Sequence, residues 1–396
     1  MSKCLEGDKD RISELPDALV CHLLSFLPTT CAVRTTVLSK RWNNVWTCVT
    51  NLNFNDERDF WCHHGCDYDR FEMFVDRVLS LTGPSDIKER HFARLEGWIC
   101  TAVRRNVVEL DLELYAGNEK EDTFVLPISV FSCKTLQVLK LCGSFCSYIT
   151  YAPPPASGCF PSLKSLEVHR APYPDKGLME KLFTNCPVLE HLIIEAVLAD
   201  DVAYKIQVSA PQLKTLGISL HEQYFMNTVI CIDTPKLESL YVETGALSNF
   251  SLDARSLVSA SIHLQDNRFQ VNRASIAKHA IALLAEISSV KNLSLSASHL
   301  EGTPKCNRKD SELQWDPPKV VPNCLSSHLK TVSILRFGAR KVEMEVVKYL
   351  LKYGHLLDKM TLIYAGNLRT EVFEGLYRRE IKMFQRASMT CQVEHK

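Results

Sequence analysis

One pattern constrains this chain more than any other. The motif apolar-x-x-apolar-x-apolar recurs from residue 107 almost to the end. It stands as Val107-x-x-Leu110-x-Leu112, Leu136-x-x-Leu139-x-Leu141, Leu163-x-x-Leu166-x-Val168, Leu189-x-x-Leu192-x-Ile194, Leu213-x-x-Leu216-x-Ile218 and Leu237-x-x-Leu240-x-Val242. It continues as Leu257-x-x-Ala260-x-Ile262, Val290-x-x-Leu293-x-Leu295, Leu329-x-x-Val332-x-Ile334 and Leu357-x-x-Met360-x-Leu362. The first steps are 29, 27, 26, 24 and 24 residues; the later ones are 20, 33, 39 and 28. A unit this short cannot bury its single apolar edge alone, so the units must stack and share one core.

The regular steps fall in the ~20–29-residue window of leucine-rich repeats, which predicts a solenoid with a parallel sheet over 107–314. The lead-ins repeat as well: Phe160-Pro-Ser-Leu163, Cys186-Pro-Val-Leu189, Ala210-Pro-Gln-Leu213 and Thr234-Pro-Lys-Leu237. Each Pro stops a helix and prepares a strand. A doubly wound α/β domain is the alternative, but it needs Gly-rich turns, and Gly is only 15 of 396 residues. By the two-residue strand period, the residues between the apolar ones face the concave side of the sheet. They include Glu109, Asp111, Glu113, Lys140, Glu167, His169, His191, Glu195, Tyr241, Glu243, His263, Asn292 and Ser294. Within this set Glu109, Asp111, Glu113, Glu167, His169, Glu195, Tyr241 and Glu243 are the candidates for binding a protein substrate with a basic segment. A merely solvated face is the competing reading.

Residues 8–54 differ from the array. Leu15-Pro16-Asp17 marks a helix start, with Asp17 placed to cap free N–H groups. Apolar residues at 19, 20, 23, 24, 26 and 27 then cover an arc of roughly 160° at ~100° per residue, wider than one packing stripe. Pro28 ends that helix. A second helix is expected over 30–38 and a third, capped by Ser39, over 40–49, carrying Trp42, Val45, Trp46 and Val49. So small a core should leave apolar surface exposed, which marks an interface. Ile12-Ser-Glu-Leu15-Pro16-Asp17-Ala-Leu19-Val-Cys-His-Leu-Leu-Ser-Phe26-Leu27-Pro28, followed by Val37-Leu-Ser39-Lys40-Arg41-Trp42 and Trp46, closely resembles the plant F-box. The resemblance implies docking onto a Skp-type adaptor tethered to a cullin scaffold. Leu15, Pro16, Leu19, Leu23, Leu24, Leu27 and Pro28 match the first half of the adaptor-facing motif, and Val37, Leu38, Trp42 and Trp46 the second. A plain helical hairpin explains neither the wide stripe nor the motif.

Between module and array, 55–106 reads as a helical linker and N-terminal cap, with helices over 70–81 and 89–105 broken by Gly83-Pro84-Ser85. Residues 315–396 resemble the plant FBD domain. The match runs through Trp315-x-Pro317, Val321-Pro322-x-Cys324-Leu325, Tyr349-Leu350-Leu351-Lys352 and Arg386-Ala387-Ser388-x-x-Cys391. Physically this region continues the array: strand 329–334, helix 342–353 with Gly354 as its C-cap, strand 357–363 and a last helix over 371–386. The expected fold class is α/β: a three-helix F-box module, a leucine-rich-repeat solenoid and an FBD cap.

The remaining features mostly exclude. Lys+Arg and Asp+Glu number 46 each, which argues against a nucleic-acid partner. No run reaches the ~18 apolar residues of a membrane span, and the charged N-terminus is not a signal peptide, so a cytoplasmic and/or nuclear location is expected. The 16 Cys read mostly as small buried hydrophobes. Cys62-His63-His64-Gly65-Cys66 has metal-like residue types but no second ligand pair at finger spacing, so no metal and no cofactor is expected. Hydrolase, zincin, P-loop and kinase motifs are missing. With the two resemblances these readings imply a non-enzymatic substrate-recognition subunit of an SCF-type ubiquitin ligase. A repeat scaffold outside any ligase, and a hydrolase with an unrecognised site, are the alternatives.

Overall fold

In a computed structural model the chain divides into two compact units, Met1–Val107 and Val108–Lys396. The structure describes residues 12, 14–49, 52–54, 61–62, 65–66, 68–80, 91–113, 122–143, 147–151, 159–172, 186–198, 205–222, 228–245, 249–265, 287–298, 320–364 and 371–396.

The first unit begins with three short helical segments. They are Asp17–Leu24, Thr29–Arg34 with a 3-10 turn Thr35–Val37, and Trp42–Val45 with a 3-10 turn Trp46–Cys48. The first helix stops three residues short of the predicted end, and Phe26 and Leu27 follow in turns. Asp17 does not cap it. Pro16 is the N-cap, and the Asp17 carboxylate accepts instead from Arg41 at 2.6 and 2.9 Å. Thr29 and Asn53 tie the module's C-terminal end to the start of its second helix: the Thr29 hydroxyl accepts from Asn53 N–H at 2.7 Å, and Thr29 N–H donates to the Asn53 carbonyl at 3.1 Å. The core is Val20, Leu24, Ala32, Trp42, Val45, Trp46 and Val49, joined by Val78 and Phe74 from the following helix, Tyr68–Ser80. A second linker helix, His91–Arg104, is pinned to that one by charge. Arg94 reaches the largely buried Glu72 at 2.7 Å, and Trp98 Nε1 donates to Asp76 at 2.7 Å.

The second unit is built on one all-parallel sheet of eleven strands. Its order runs Gln392–His395, Lys359–Tyr364, Thr331–Phe337, Asn292–Ser298, Ser259–Gln265, Ser239–Gly245, Thr215–Glu222, His191–Leu198, Ser165–Pro172, Val138–Cys142, Glu109–Glu113. All ten occurrences of the repeat motif supply a strand. The eleventh strand, Gln392–His395, has no such motif.

Each lead-in closes as a tight turn. Leu163, Leu213 and Leu237 donate to Phe160, Ala210 and Thr234 at 3.2, 3.2 and 3.0 Å, with Pro in the second position that its fixed φ suits. The next joint is the same throughout. The carbonyl just after the first apolar residue accepts two N–H groups from the following unit: Gln137 from Lys164 and Ser165, Lys164 from Glu190 and His191, Lys214 from Glu238 and Ser239. The chain of joints runs unbroken from Val108 to Lys330, and Asp358 then accepts from Gln392.

Behind the long sheet lie strands that the motif does not announce. Lys205–Ser209, Val229–Asp233 and Asn249–Asp253 form a parallel three-stranded sheet, and Asp122–Leu126 pairs in parallel with Ser147–Tyr151. Their inward residues, Ile206, Val208, Ile230, Ile232, Phe124 and Leu126, close the core from that side. In the C-terminal region the helix Lys341–Tyr353 buries Met344, Val347, Leu350 and Leu351. Gly354 is the helix C-cap, as expected, with φ −79° rather than a left-handed conformation. Its reason is space: a Cβ there would lie 2.7 Å from the Leu350 carbonyl oxygen.

Candidate functional sites

The helical module sorts its apolar residues onto two sides. Leu24, Trp42 and Trp46 are buried in its own core, and Leu15 packs against them. Leu19, Leu23, Phe26, Leu27, Val37 and Leu38 are between 41% and 84% exposed. Pro16 is also exposed and Pro28 half-buried. The helical period explains the split: Val20 and Leu24 are four apart on the inner side, Leu19 and Leu23 four apart on the outer. His22 stacks edge-on against Phe26 at 5.0 Å, which extends this surface. Outward apolar residues in this number cost free energy in water and are suited to protein docking. Phe26 was not among the expected contacts, although the same helical arc contains it.

On the repeat unit, the solvent face of the long sheet carries the other candidates. Register brings Asp111, Lys140 and Glu167 side by side, followed by Ile193, Gly217 and Tyr241. One step along, Glu195, Ser219, Glu243 and His263 are successive neighbours. Glu195 lies between two imidazoles: His169 Nδ1 is 3.0 Å from one oxygen, and His221 Nε2 3.2 Å from the other. Glu167 approaches the other nitrogen of His169 at 3.6 Å. Next to this group, Glu243 accepts from Tyr241 at 2.8 Å and from Ser219 at 3.1 Å. Tyr241 also meets the His263 ring at 5.0 Å, and Ser261 pairs with His263 Nε2 at 3.0 Å.

Burial, then the bond to Glu243, pushes the Tyr241 phenol up to about 12, so it stays a proton donor at neutral pH. Burial lowers the pKa of His263, with Arg336 acting the same way and Glu243 against it. Both glutamates are therefore held by neighbours that donate hydrogen bonds, in positions fixed by a rigid sheet. They can accept from a partner's cation at a defined spacing, two strands or roughly 10 Å apart.

The eight sequence candidates lie on one sheet face but fall into two groups. Glu167, His169, Glu195, Tyr241 and Glu243 are brought together. Glu109, Asp111 and Glu113 stand apart on the terminal strand, and Lys140 faces Glu109 at 3.8 Å. Ser219 and His221 belong to the cluster but were missed. The strand Thr215–Glu222 continues past the motif's last apolar position, and extending the two-residue period through Leu220 finds both.

No helix among the described residues is long and apolar enough to cross a membrane. Among them, too, no three His, Cys, Asp or Glu side chains group as metal ligands. Of the Cys62–Cys66 segment the structure gives only antiparallel backbone pairing, Trp61 with Cys66 and Cys62 with Gly65; His63 and His64 lie outside the described residues. Of the described cysteines, Cys133, Cys159, Cys186, Cys324 and Cys391 are buried, and Cys31 is exposed.

Comparison with known proteins agrees with this architecture. The F-box domain family model matches residues 12–53, and the FBD model matches 316–362. The model described as "FBD-associated F-box protein At5g56370, LRR repeats" matches residues 95–303. FBD-associated F-box protein At4g10400 of Arabidopsis thaliana is 28% identical over 97% of this chain and 99% of its own length. F-box protein At4g09920 from the same plant is 31% identical over 80% of this chain and 94% of its own. F-box/FBD/LRR-repeat protein At3g52680, also from Arabidopsis, is 29% identical over 98% of this chain and 93% of its own.

Proposed function

Since this chain belongs to the family of FBD-associated F-box proteins with leucine-rich repeats, we propose that it is the substrate-recognition subunit of an SCF-type, cullin-based ubiquitin ligase. The observation that carries the reading is the outward patch of Leu19, Leu23, Phe26, Leu27, Val37 and Leu38 on a module whose core is already filled by other residues. On this reading the patch seats a Skp-type adaptor, and the adaptor links the chain to a cullin. The array holds a protein substrate, with the FBD region closing its far end as a cap. The chain itself performs no chemistry. It raises the effective concentration of substrate lysines at an active site on another subunit. It needs neither nucleic acid nor membrane, and it would work in the cytoplasm, the nucleus or both, where ligase and substrate meet.

For the substrate the reading favours a segment bearing two cations, one for Glu195 with Glu167 and one for Glu243, since these carboxylates sit at a fixed spacing. The test is co-purification with adaptor and cullin. Leu19→Asp with Leu23→Asp should abolish capture while leaving the fold intact, because both side chains already face water. Capture by that variant at the wild-type level overturns the assignment. If the wild-type chain captures no adaptor at all, the chain is a scaffold outside the ligase. Substrate capture should fall with Glu195→Lys and persist with Glu109→Lys; the reverse order would move the substrate site to the terminal strand.

A further inference from the structure

The outward apolar residues of the helical module come from two stretches of chain that are held in different ways. Leu19 and Leu23 ride on the first helix, Asp17–Leu24, whose inner side is fixed by the buried Val20 and Leu24. Val37 and Leu38 have no such footing. Every residue from 37 to 41 is exposed, and the 3-10 turn Thr35–Val37 buries none of its side chains. The nearest deeply buried positions on either side are Ala32 and Trp42. Packing therefore fixes the ends of this stretch and not its middle.

The Arg41 side chain crosses from that stretch to the first helix. Its Nε donates to the Asp17 carboxylate at 2.9 Å, and a terminal guanidinium nitrogen donates to the same oxygen at 2.6 Å and to the Leu15 carbonyl. We propose that Arg41 is a positioning residue for adaptor docking, which sets the Val37 and Leu38 half of the outward surface against the half on the first helix. The inference rests on the adaptor reading above.

The clamp is anchored at both ends. Arg41 precedes Trp42, which is 6% exposed and opens the helix Trp42–Val45, so core packing holds the base of the arginine. Opposite it, Leu15 packs against the core and Asp17 starts the helix two residues before Leu19. Leu38 N–H donates to Thr35 at 3.0 Å and Trp42 N–H to Ser39 at 3.1 Å, so short turns carry the position of Arg41 back to Val37 and Leu38. A guanidinium is planar, with its donors fixed relative to one another. Gripping a carboxylate and a main-chain carbonyl together sets direction as well as distance. The clamp serves stability little, because the Asp17 side chain is 69% exposed and an ion pair so open to water adds little to folding. Its effect falls on docking: a surface already arranged loses less freedom on binding than one whose halves move separately.

The test is a double-mutant cycle on the full chain, read as the Kd for a recombinant Skp-type adaptor from Arabidopsis. Arg41→Gln should weaken binding at least ~5-fold, and Asp17→Ala should weaken it too. The double variant should be no weaker than Arg41→Gln alone, because both substitutions open the same clamp. Thermal midpoints should stay within about 2 °C of wild type, so a merely structural effect would leave Kd unmoved. Equal affinity of wild type and Arg41→Gln overturns the inference. So does a loss that vanishes once Kd is corrected for the folded fraction. Losses that add in the double variant overturn it as well, since each charge would then meet the adaptor by itself. Should Arg41→Gln fail to fold, Arg41→Lys, which keeps the charge but not the fork, takes its place in the cycle under the same criteria. If the wild-type chain binds no adaptor, the adaptor reading fails, and this inference with it.

Discussion

Between residues 19 and 27 of the helical module, Leu19, Leu23 and Leu27 are exposed and Leu24 is buried; in the repeat unit, Leu163, Leu189, Leu213 and Leu237 expose no surface at all. The same side chain serves opposite ends. In the array each apolar edge meets the next unit of its own chain, so the neighbour is guaranteed by covalent linkage. In the module the outward edge meets no repeating neighbour among the described residues, and on the proposed reading a second protein covers it. A leucine pattern therefore reports a need for burial, and the length of the repeat tells whether the chain meets that need alone.

The sharpest way to test this contrast is to shorten one leucine in each region. Leu192 lies at 0% exposure between two flanking strands, and Leu192→Ala should cost about 2–5 kcal/mol in urea unfolding of the array. Leu23→Ala should change stability by less than ~0.5 kcal/mol, since that side chain is half exposed. Equal losses at both sites would break the comparison. Gly354→Ala comes next. The added Cβ meets main chain at 2.7 Å at the end of the helix Lys341–Tyr353, and a loss of about 1–3 kcal/mol is expected by thermal unfolding.

A gain is expected at Thr234. Its lead-in position is occupied by Phe160, Cys186 and Ala210 in neighbouring units, and its buried hydroxyl finds no hydrogen-bond partner among the described residues. Thr234→Val keeps the shape and should add about 1 kcal/mol in the same denaturant series. The smallest effect concerns His263, whose pKa burial holds below the ordinary 6.5. The unfolded chain then binds this proton more readily than the folded one, so its contribution to stability is complete above pH 6.5 and fades as pH falls below it. His263→Gln should flatten stability between pH 7 and about 5.5 relative to wild type; an unchanged slope would place the titration elsewhere.

The motif located every main-sheet strand but the last, because leucine-rich strands bury one face and state it twice, at the turn and in the strand. Gln392–His395 lacks that signal: only Val393 and His395 face inward, and the strand exists by pairing with Lys359–Tyr364. The strands behind the sheet were illegible for the same reason. Ile206-x-Val208 and Ile230-x-Ile232 are too short to declare a strand, although they stand 24 residues apart and four before a lead-in. The two sides of the first helix could not be separated in sequence, since a wide apolar arc does not say which part the module keeps. On the sheet face the residue types were legible and their grouping was not. Whether Glu195 or Glu109 has company depends on which strand lies beside it.

The double-acceptor carbonyls between successive units use main chain only. Gln137, Lys164, Glu190 and Val258 make the same joint although their side chains differ in charge, polarity and shape. The joint also forms across a step of 20 residues, from Glu238 to Val258, and across one of 39, from Lys291 to Lys330. The coupling between units is thus blind to side chain and to loop length, and mutation can rewrite the recognition surface, or lengthen a loop, without disturbing the frame that displays it. A lineage built on such a frame can change its target repeatedly while the connection to its own scaffold stays in register.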